Sequence, residues 1–363
     1  MYYKRRDEKT KVLIDPYDPE TSARLLRAKN ILNSEFTVEG EYSELGTYNF
    51  LLRPHEESFG DSFRRIAPSI KELGFLPFLR RRKGGLLLKF VSRPPSKPAR
   101  KTLNLTLFLI TCTTVFFSGW WMFGGDLRSA SLFAVSLLSL ISLHEIGHKL
   151  MIRSSRLDSS LPYFIPGPPP LGTFGAVITQ GDIPTNRDEL FDLAFGGPIV
   201  GFAVTIVLAI MSVFWSSVIP IEKVSPGSLV PLPLLFSLIF PLLHPLPGNV
   251  AIHGPLISVA WVGAFITFLN LIPVSQLDGG HLFRAALGRS GQRIASIIGL
   301  IFVAFVDYAL AFILLMLVFV LGYSSPEPLD DISPLSKSRK LLVLVALIVV
   351  LLCVPVRPLR PLL

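Results

Sequence analysis

The sequence predicts an α-helical polytopic membrane protein with about six transmembrane helices and a small N-terminal α+β domain on the cytoplasmic side. Half of its 363 residues are hydrophobic and 17% are charged, whereas about a quarter of the residues in a soluble domain are charged. The apolar residues are concentrated in segments close to the roughly 20 residues that a helix needs to cross a bilayer. This composition argues against a soluble enzyme and excludes disordered and collagen-like chains.

The excess of basic residues, a net charge of +9, indicates loops that stay in the cytoplasm rather than a nucleic-acid partner. Nucleic-acid binding would require basic residues interleaved with stacking aromatic side chains on a soluble surface, and the sequence does not have that pattern. The run 80–101 contains nine lysines and arginines and no acidic residue. Since this run precedes the first apolar segment, it predicts a cytoplasmic N-terminus.

Residues 1–98 are predicted to form the soluble N-terminal domain. Their apolar spacing indicates two helices and four strands, with predicted ranges 22–33 and 57–73 for the helices and 36–42, 47–52, 76–79 and 86–91 for the strands. They contain no recognisable catalytic group of residues. A docking or regulatory role is open for this domain, and a plain structural role is favoured. The proline-rich stretch 94–98 is the predicted linker to the membrane domain, residues 99–363.

The linker is followed by seven apolar segments: 103–123, 131–152, 190–216, 229–245, 255–276, 296–322 and 341–356. The segment 229–245 is short and contains Pro231, Pro233 and Pro241, so it is the doubtful span. If it is re-entrant or lies at the surface, six true spans remain. Residues near 148 and near 278 then lie at one depth on the cytoplasmic side.

The first motif with recognisable chemistry is His144-Glu145-Ile146-Gly147-His148, near the end of the second apolar segment. Residues four positions apart share one face of a helix, so both imidazoles can bind a single metal ion. Glu145 adjoins the first histidine and can accept a proton from a water molecule that the metal activates. The alternative is a structural histidine pair, which is disfavoured because ionisable side chains in an apolar segment cost free energy without a ligand or partners.

Two histidines leave a zinc ion one protein ligand short, since catalytic zinc sites have three protein ligands and a water. The best remaining donor is Asp278, at the end of another apolar segment. Pro273 interrupts the helix before it and frees backbone groups at membrane depth, which is tolerated where they line a cavity. The two glycines that follow Asp278 permit close approach of the backbone. Asp278 could instead cap the next helix, but the first motif favours a ligand, and His/His/Asp suits zinc.

The two motifs, HEIGH at 144–148 and NxxPxxxLDG at 270–279, resemble the paired signatures of the site-2 protease family of intramembrane zinc metalloproteases. The resemblance covers roughly residues 100–323. It implies that His144, His148 and Asp278 bind Zn²⁺. It further implies that Glu145 is the general base and that Asn270 contacts the substrate or the oxyanion. Because both motifs must meet at one depth, the resemblance selects the six-span topology.

Two further stretches are similar to segments of that family. The stretch 172–178 has strand-like character, which implies that Gly172, Phe174 and Gly175 bind an unwound substrate through main-chain pairing; a loop that merely packs is the alternative. The glycine-rich stretch 194–201 resembles the start of a small-residue helix, and its glycines predict close packing against the metal-binding helix.

We therefore predict an intramembrane zinc metalloprotease, a multi-pass protein of the cell membrane whose N-terminus and active site face the cytoplasm. Its expected partners are a transmembrane protein substrate and the lipid bilayer, while the sequence leaves the oligomeric state open. The alternatives are another membrane metalloprotease, such as a prenyl-protein protease, and a catalytically inactive membrane scaffold, against which the intact Glu145 argues. A further alternative makes the N-terminal domain the working part and the bundle its anchor. The polar stretch 325–340 is predicted to be a connection without a motif.

Overall fold

The structure is a computed structural model, and it describes residues 18–44, 46–54, 59–82, 85–93, 101–154, 160–178, 181–220, 230–243, 250–274, 276–321 and 327–356. The predicted proline-rich linker lies outside the described residues. The described residues 18–93 form a unit of mixed α and β structure, the N-terminal unit, and the described residues from 101 onward are mostly helical.

The N-terminal unit consists of two helices and a four-stranded antiparallel sheet. Its elements in chain order are α1 (Pro19–Asn33), β1 (Phe36–Glu44), β2 (Thr47–Pro54), α2 (Phe59–Glu72), β3 (Phe75–Arg82) and β4 (Gly85–Ser92). The strand order in the sheet is β1-β2-β4-β3, so β3 lies at an edge. This arrangement confirms the predicted α+β structure, because the apolar alternation of the strands and the helical spacing on α2 bury one common core.

The core of the N-terminal unit is built from large apolar side chains of α2 and the sheet. Phe63 and Ile70, on one face of α2, are fully buried. Phe90 of β4 is also fully buried and stacks on Phe75 of β3 with ring centroids 5.7 Å apart. Burial of such side chains contributes about 1.5–3 kcal/mol each, which is what holds the helices on the sheet.

The part of the chain from residue 101 is dominated by helices: α3 (Lys101–Met122), α4 (Leu127–Ser154), α5 (Arg187–Trp215), α6 (Leu234–Leu243), α7 (Pro255–Leu271), α8 (Asp278–Val306), α9 (Tyr308–Leu321) and α10 (Lys337–Cys353). Among the described residues, α3, α4, α5 and α8 are long and apolar enough to cross a membrane, while α6, α7 and α9 are shorter apolar helices. Within the described part of the doubtful segment 229–245, the one helix is the ten-residue α6, about half the length that a span needs.

Short strands join the described loops in three antiparallel pairs. β5 (Tyr163–Pro166) and β6 (Thr173–Val177) form a hairpin, β7 (Ser217–Pro220) pairs with β9 (Val250–His253), and β8 (Leu232–Pro233) pairs with β10 (Pro355–Val356). Of these, only β6 had a recognisable sequence signal. Strands this short carry too little alternation to be distinguished from irregular loops.

The long helix α8 consists of two helical segments that meet at Gly288, whose φ is +72°. The second segment runs beside the turn at Pro273, because Ser296 Oγ donates a hydrogen bond to the Pro273 carbonyl. The apolar pattern predicts one continuous segment at 296–322, whereas in the structure α8 ends before Asp307. The Asp307 carboxylate accepts a hydrogen bond from Leu310 N at 2.9 Å, so this side chain caps α9 and competes with helix continuation.

The central helix of the bundle is α5, which packs against α4, α7 and α8. The α5–α7 crossing depends on a small residue, since a Cβ on Gly263 of α7 would overlap Thr205 Oγ1 of α5. The bundle core contains fully buried side chains from several helices, such as Phe133, Phe191 and Phe268. This packing sets α4, α5, α7 and α8 side by side, and the two sequence motifs lie on them.

Candidate metal centre

The side chains of the HEIGH motif lie toward the C-terminal end of α4. His144 is 7% exposed and Glu145 is 9% exposed. The Nε2 atoms of His144 and His148 are 3.2 Å apart, as the shared helix face predicts. Possible ligand atoms of His144, Glu145 and His148 all lie within 4.8 Å of one another, so this cluster offers either three ligands or two ligands and a neighbouring base.

The His148 ring is oriented by α5. Its Nδ1 lies 2.7 Å from the carbonyl oxygen of Leu193. Because a carbonyl can only accept a hydrogen bond, Nδ1 carries the proton and Nε2 keeps a free lone pair, the form that binds a metal. The two helices approach so closely here that a Cβ on Gly147 would overlap the Gly196 carbonyl. This agrees with the predicted role of the small residues on α5.

Asp278 reaches the two imidazoles from the start of α8. Its Oδ2 lies 3.3 Å from His148 Nε2 and 3.6 Å from His144 Nε2. A Cβ on Gly279 would overlap the carbonyl oxygens at the end of α7, so glycine permits the close approach that brings α8 to this position. The N-cap position of α8 is Leu277, and no side-chain hydrogen bond caps this helix. The alternative role of Asp278 as a helix cap is therefore not what the structure shows.

The donor set fits a zinc ion. The three atoms His144 Nε2, His148 Nε2 and Asp278 Oδ2 form a triangle with sides of 3.2, 3.3 and 3.6 Å. Tetrahedral zinc with ligand bonds of about 2.0–2.1 Å holds its ligands about 3.3–3.4 Å apart. Two imidazole nitrogens and one carboxylate oxygen are also a ligand set that catalytic zinc sites use.

Asn270, the first residue of the second motif, also lies at this centre. Its Nδ2 is 3.3 Å from His144 Nε2. Asn270 belongs to the last turn of α7, just before the turn that Pro273 creates. The structure thus brings together all five residues that the two motifs nominated, from α4, α7 and α8.

The three predicted substrate-binding residues lie in the β5–β6 hairpin, which contacts α3 and α4. Gly172 has φ +75° and packs against α3, where Thr114 Oγ1 donates to the Gly172 carbonyl at 2.7 Å. Phe174 is 73% exposed, and Gly175 has open space where a Cβ would stand. Among the described residues, no hydrogen bond or ion pair joins these three to the HEIGH side chains.

Two contributions to this region were not predicted. The Leu193 carbonyl carries no sequence signal, because every residue has a backbone carbonyl. Arg284, six residues after Asp278, is 1% exposed and pairs with Asp331. The sequence had no signal that separated Arg284 from the other charged residues of α8, Asp278, Arg289 and Arg293. Its partner lies in the stretch that was expected to be a connection without a motif.

The fold and this site define a multi-pass membrane protein with a HExxH metal centre enclosed by its helices. The chain belongs to peptidase family M50, whose sequence model matches residues 132–315, a range that contains both motifs. The predicted membership of the site-2 protease family is thereby confirmed.

Several curated proteins that the chain is similar to are named as probable zinc metalloproteases. The probable zinc metalloprotease EGY2, chloroplastic, of Oryza sativa subsp. indica is 32% identical over 210 residues, 54% of this chain and 37% of that protein. The probable zinc metalloprotease EGY1, chloroplastic, of Arabidopsis thaliana is 32% identical over 170 residues, 43% of this chain and 30% of that protein. The Arabidopsis thaliana EGY2 is 29% identical over 225 residues, 60% of this chain and 40% of that protein.

The chain therefore spans two fifths or less of the length of these relatives. The family and the relatives' names agree with zinc as the predicted cofactor. No solved structure matches the chain.

Substitution of Gly197 by alanine is expected to weaken zinc binding about tenfold or more, the range of substitutions that displace a metal ligand indirectly. A Cβ at this position of α5 would overlap the His148 imidazole and push it away from Asp278. The measurement is zinc affinity by competition with a chelator. Gly85→Ala is the control, because its Cβ would lie 3.6 Å from the nearest atom, an ordinary contact. Equal zinc affinity of Gly197→Ala and wild type would contradict the expectation.

Proposed function

We propose that this protein is a zinc metalloprotease that hydrolyses peptide bonds within or next to the transmembrane segments of other membrane proteins. The observation that carries the proposal is the triangle of His144 Nε2, His148 Nε2 and Asp278 Oδ2 among helices of the bundle. Ionisable side chains inside a membrane protein are costly unless they pair with one another or hold a ligand, and they are found mainly at functional sites. A scaffold without activity gains nothing from this arrangement.

His144, His148 and Asp278 hold the zinc ion in this proposal. Zinc bound there supplies Lewis-acid chemistry, by acidifying a water molecule and polarising the carbonyl oxygen of the scissile bond. The Leu193 carbonyl keeps the His148 proton on Nδ1, so that Nε2 stays available as a ligand. Gly147 of α4 and Gly196 of α5 leave room for the close approach of the two helices at which this hydrogen bond forms.

Glu145 moves the proton. Glu145 follows His144 on α4 and is 9% exposed, and its carboxylate lies within 4.8 Å of a ring nitrogen of each histidine. It accepts the proton of the attacking water and then donates it to the nitrogen of the departing amine. Asn270 Nδ2 lies 3.3 Å from His144 Nε2. In this proposal it donates a hydrogen bond to the substrate carbonyl oxygen as negative charge develops on that oxygen.

The proposed topology has six spans, with the N-terminus and the metal centre on the cytoplasmic side. It is supported by the basic run 80–101 before α3 and by Lys149 just after the HEIGH motif, since basic residues stay on the cytoplasmic side. The shortness of α6 also supports it, because a non-spanning α6 leaves α4 and the start of α8 at one depth. The relatives' names are those of chloroplastic proteins.

The proposed substrate is a single membrane-spanning segment that unwinds locally before cleavage. A helix hides its carbonyl groups in internal hydrogen bonds, so the scissile bond must become extended to be attacked. The β5–β6 hairpin offers an exposed Phe174 and an open position at Gly175 beside α4. We propose that an unwound substrate pairs with this hairpin through main-chain hydrogen bonds.

The test uses the purified full chain in lipid vesicles with a single-span reporter protein. We expect one zinc per chain, cleavage within or next to the reporter span, loss of cleavage on chelation and recovery on addition of Zn²⁺. A soluble, unfolded version of the same peptide serves as the second substrate. Cleavage of the soluble peptide alone would overturn the intramembrane part of the proposal, and absence of bound zinc would overturn all of it.

A further inference from the structure

The described part of the connection between α9 and α10, residues 327–336, is bound to the N-terminal unit. Leu329 of this connection is fully buried in the hydrophobic core of that unit. The Leu329 carbonyl accepts hydrogen bonds from Leu79 N and from Arg80 Nη1, both at 2.8 Å. Residues Leu79 and Asp330 also form a parallel bridge. The connection therefore continues the sheet at its edge strand, β3.

The opposite side of the same connection is bound to the stretch that leads into α5. Leu329 N donates to the Pro184 carbonyl at 2.9 Å, and Asp330 N donates to the Thr185 carbonyl at 2.7 Å. The N-terminal unit reaches this stretch as well, because Lys71 Nζ lies 3.4 Å from Asp182 Oδ2 with both side chains about nine-tenths buried. Three separate parts of the chain are thus held together at this end of the bundle.

Asp331 is the point at which the connection meets the metal-binding helix. Arg284 of α8 donates two hydrogen bonds to its carboxylate, from Nη1 to Oδ1 at 2.9 Å and from Nη2 to Oδ2 at 2.7 Å. Arg187, at the start of α5, donates to Asp331 Oδ1 at 3.3 Å and to its backbone carbonyl at 2.8 Å. The Arg284 side chain is 1% exposed, and its charge is compensated mainly by this carboxylate at 2.7 Å, with Glu327 Oε1 more distant at 4.0 Å.

Arg284 and Asp278 belong to the same short helical segment, residues 278–287, which ends at the break at Gly288. The break itself lies against Arg187, since a Cβ on Gly288 would lie 3.3 Å from the Arg187 guanidinium. At its other end the segment contacts the end of α7 through Gly279. A two-point hydrogen bond halfway along so short a segment restrains its rotation and sliding, and hence the position of the Asp278 carboxylate.

We propose that Asp331 is a positioning residue for the metal centre. Through Arg284 it fixes the segment 278–287, and through the connection 327–336 it makes the N-terminal unit part of the structure that places Asp278. The N-terminal unit then contributes to zinc binding without touching the zinc site. This inference rests on the proposed zinc centre, and its test includes a measurement that does not involve zinc.

The experiment compares Asp331→Asn with Glu35→Gln in the whole chain described above. The control also breaks a two-point arginine–carboxylate pair, Arg65 with Glu35 at 2.8 and 2.7 Å, which lies wholly within the N-terminal unit. Zinc affinity is measured by chelator competition, and amide hydrogen exchange of residues 278–287 is measured in the zinc-free protein. We expect about 10–100-fold weaker zinc binding for Asp331→Asn, the usual effect of residues that orient a ligand, together with faster exchange confined to that segment.

Glu35→Gln is expected to leave both measurements unchanged, and Asp331→Glu is expected to recover most of the zinc affinity. If Asp331→Asn does not fold, Arg284→Lys replaces it, since lysine keeps the charge but loses the two-point geometry. Unchanged zinc affinity and unchanged exchange in the variant that folds would overturn the inference. Failure of the wild-type protein to bind zinc would refute the proposed function instead, and the exchange measurement would still decide whether Asp331 holds the segment.

Discussion

Substitution of Glu145 by glutamine is expected to slow peptide-bond cleavage by about 10²–10⁴-fold, the contribution of a positioned general base. Zinc content is expected to stay at the wild-type level, because the ligand triangle consists of His144, His148 and Asp278 atoms. Glutamine keeps the size of the side chain but cannot accept the proton. The measurement is the cleavage rate of a single-span substrate in vesicles, with zinc content determined on the same samples.

The control for this substitution is Glu72→Gln, the same chemical change at an exposed position of α2. It is expected to change neither rate nor zinc content. The informative contrary outcome is a parallel loss of zinc and activity in Glu145→Gln. Since Glu145 lies within 4.8 Å of both histidines, that outcome would make it a ligand rather than the base.

Substitution of Asp278 by asparagine is expected to weaken zinc binding by at least about 100-fold, the upper end of what changes outside the ligand shell cost. A neutral amide oxygen is a poor substitute for the carboxylate that faces two imidazoles at 3.3 and 3.6 Å. Activity should fall with zinc occupancy and recover in part at high zinc concentration. Chelator competition and the same cleavage assay measure both effects.

Asp307→Asn is the matched control, because asparagine can still accept the hydrogen bond from Leu310 N that caps α9. Its zinc affinity and activity are expected to equal those of the wild type. Wild-type zinc affinity in Asp278→Asn would remove Asp278 from the ligand set. Together, Asp278→Asn and Glu145→Gln distinguish the ligand from the base. Asp278→Asn should lose both zinc and activity, whereas Glu145→Gln should lose activity alone.

The local parts of the fold were predictable because they depend on periodicity. The N-terminal unit shows alternation in β1 and β2 and helical spacing in α1 and α2, and the structure places all four elements within a few residues of the predicted ranges. The long apolar helices were predictable for the same reason, since hydrophobicity over about 20 residues is a local property. Single helix breaks were not. The breaks at Gly288 and Asp307 depend on a left-handed residue and on a side-chain cap.

The part of the candidate metal centre that lies in short sequence motifs was predictable. The spacing of His144 and His148 places two imidazoles on one helix face whatever the rest of the fold does. The partnership with Asp278, 130 residues after His148, was predicted from the ligand count of a catalytic zinc and from the family resemblance, and not from spacing. Its distances to the two histidines follow from the close approach that Gly279 permits at the end of α7.

The sequence by itself was enough to predict a membrane protein with an N-terminal α+β unit. Its HEIGH motif was enough to predict a zinc site. Hydrophobicity, periodicity and ligand spacing are properties of neighbouring residues, so they need no knowledge of the fold. Only the tertiary structure decided that Leu193 orients His148, that α8 breaks at Gly288, and that the connection 327–336 joins the N-terminal unit to Arg284. These are contacts between residues far apart in the chain, and such pairings are decided by how the helices pack.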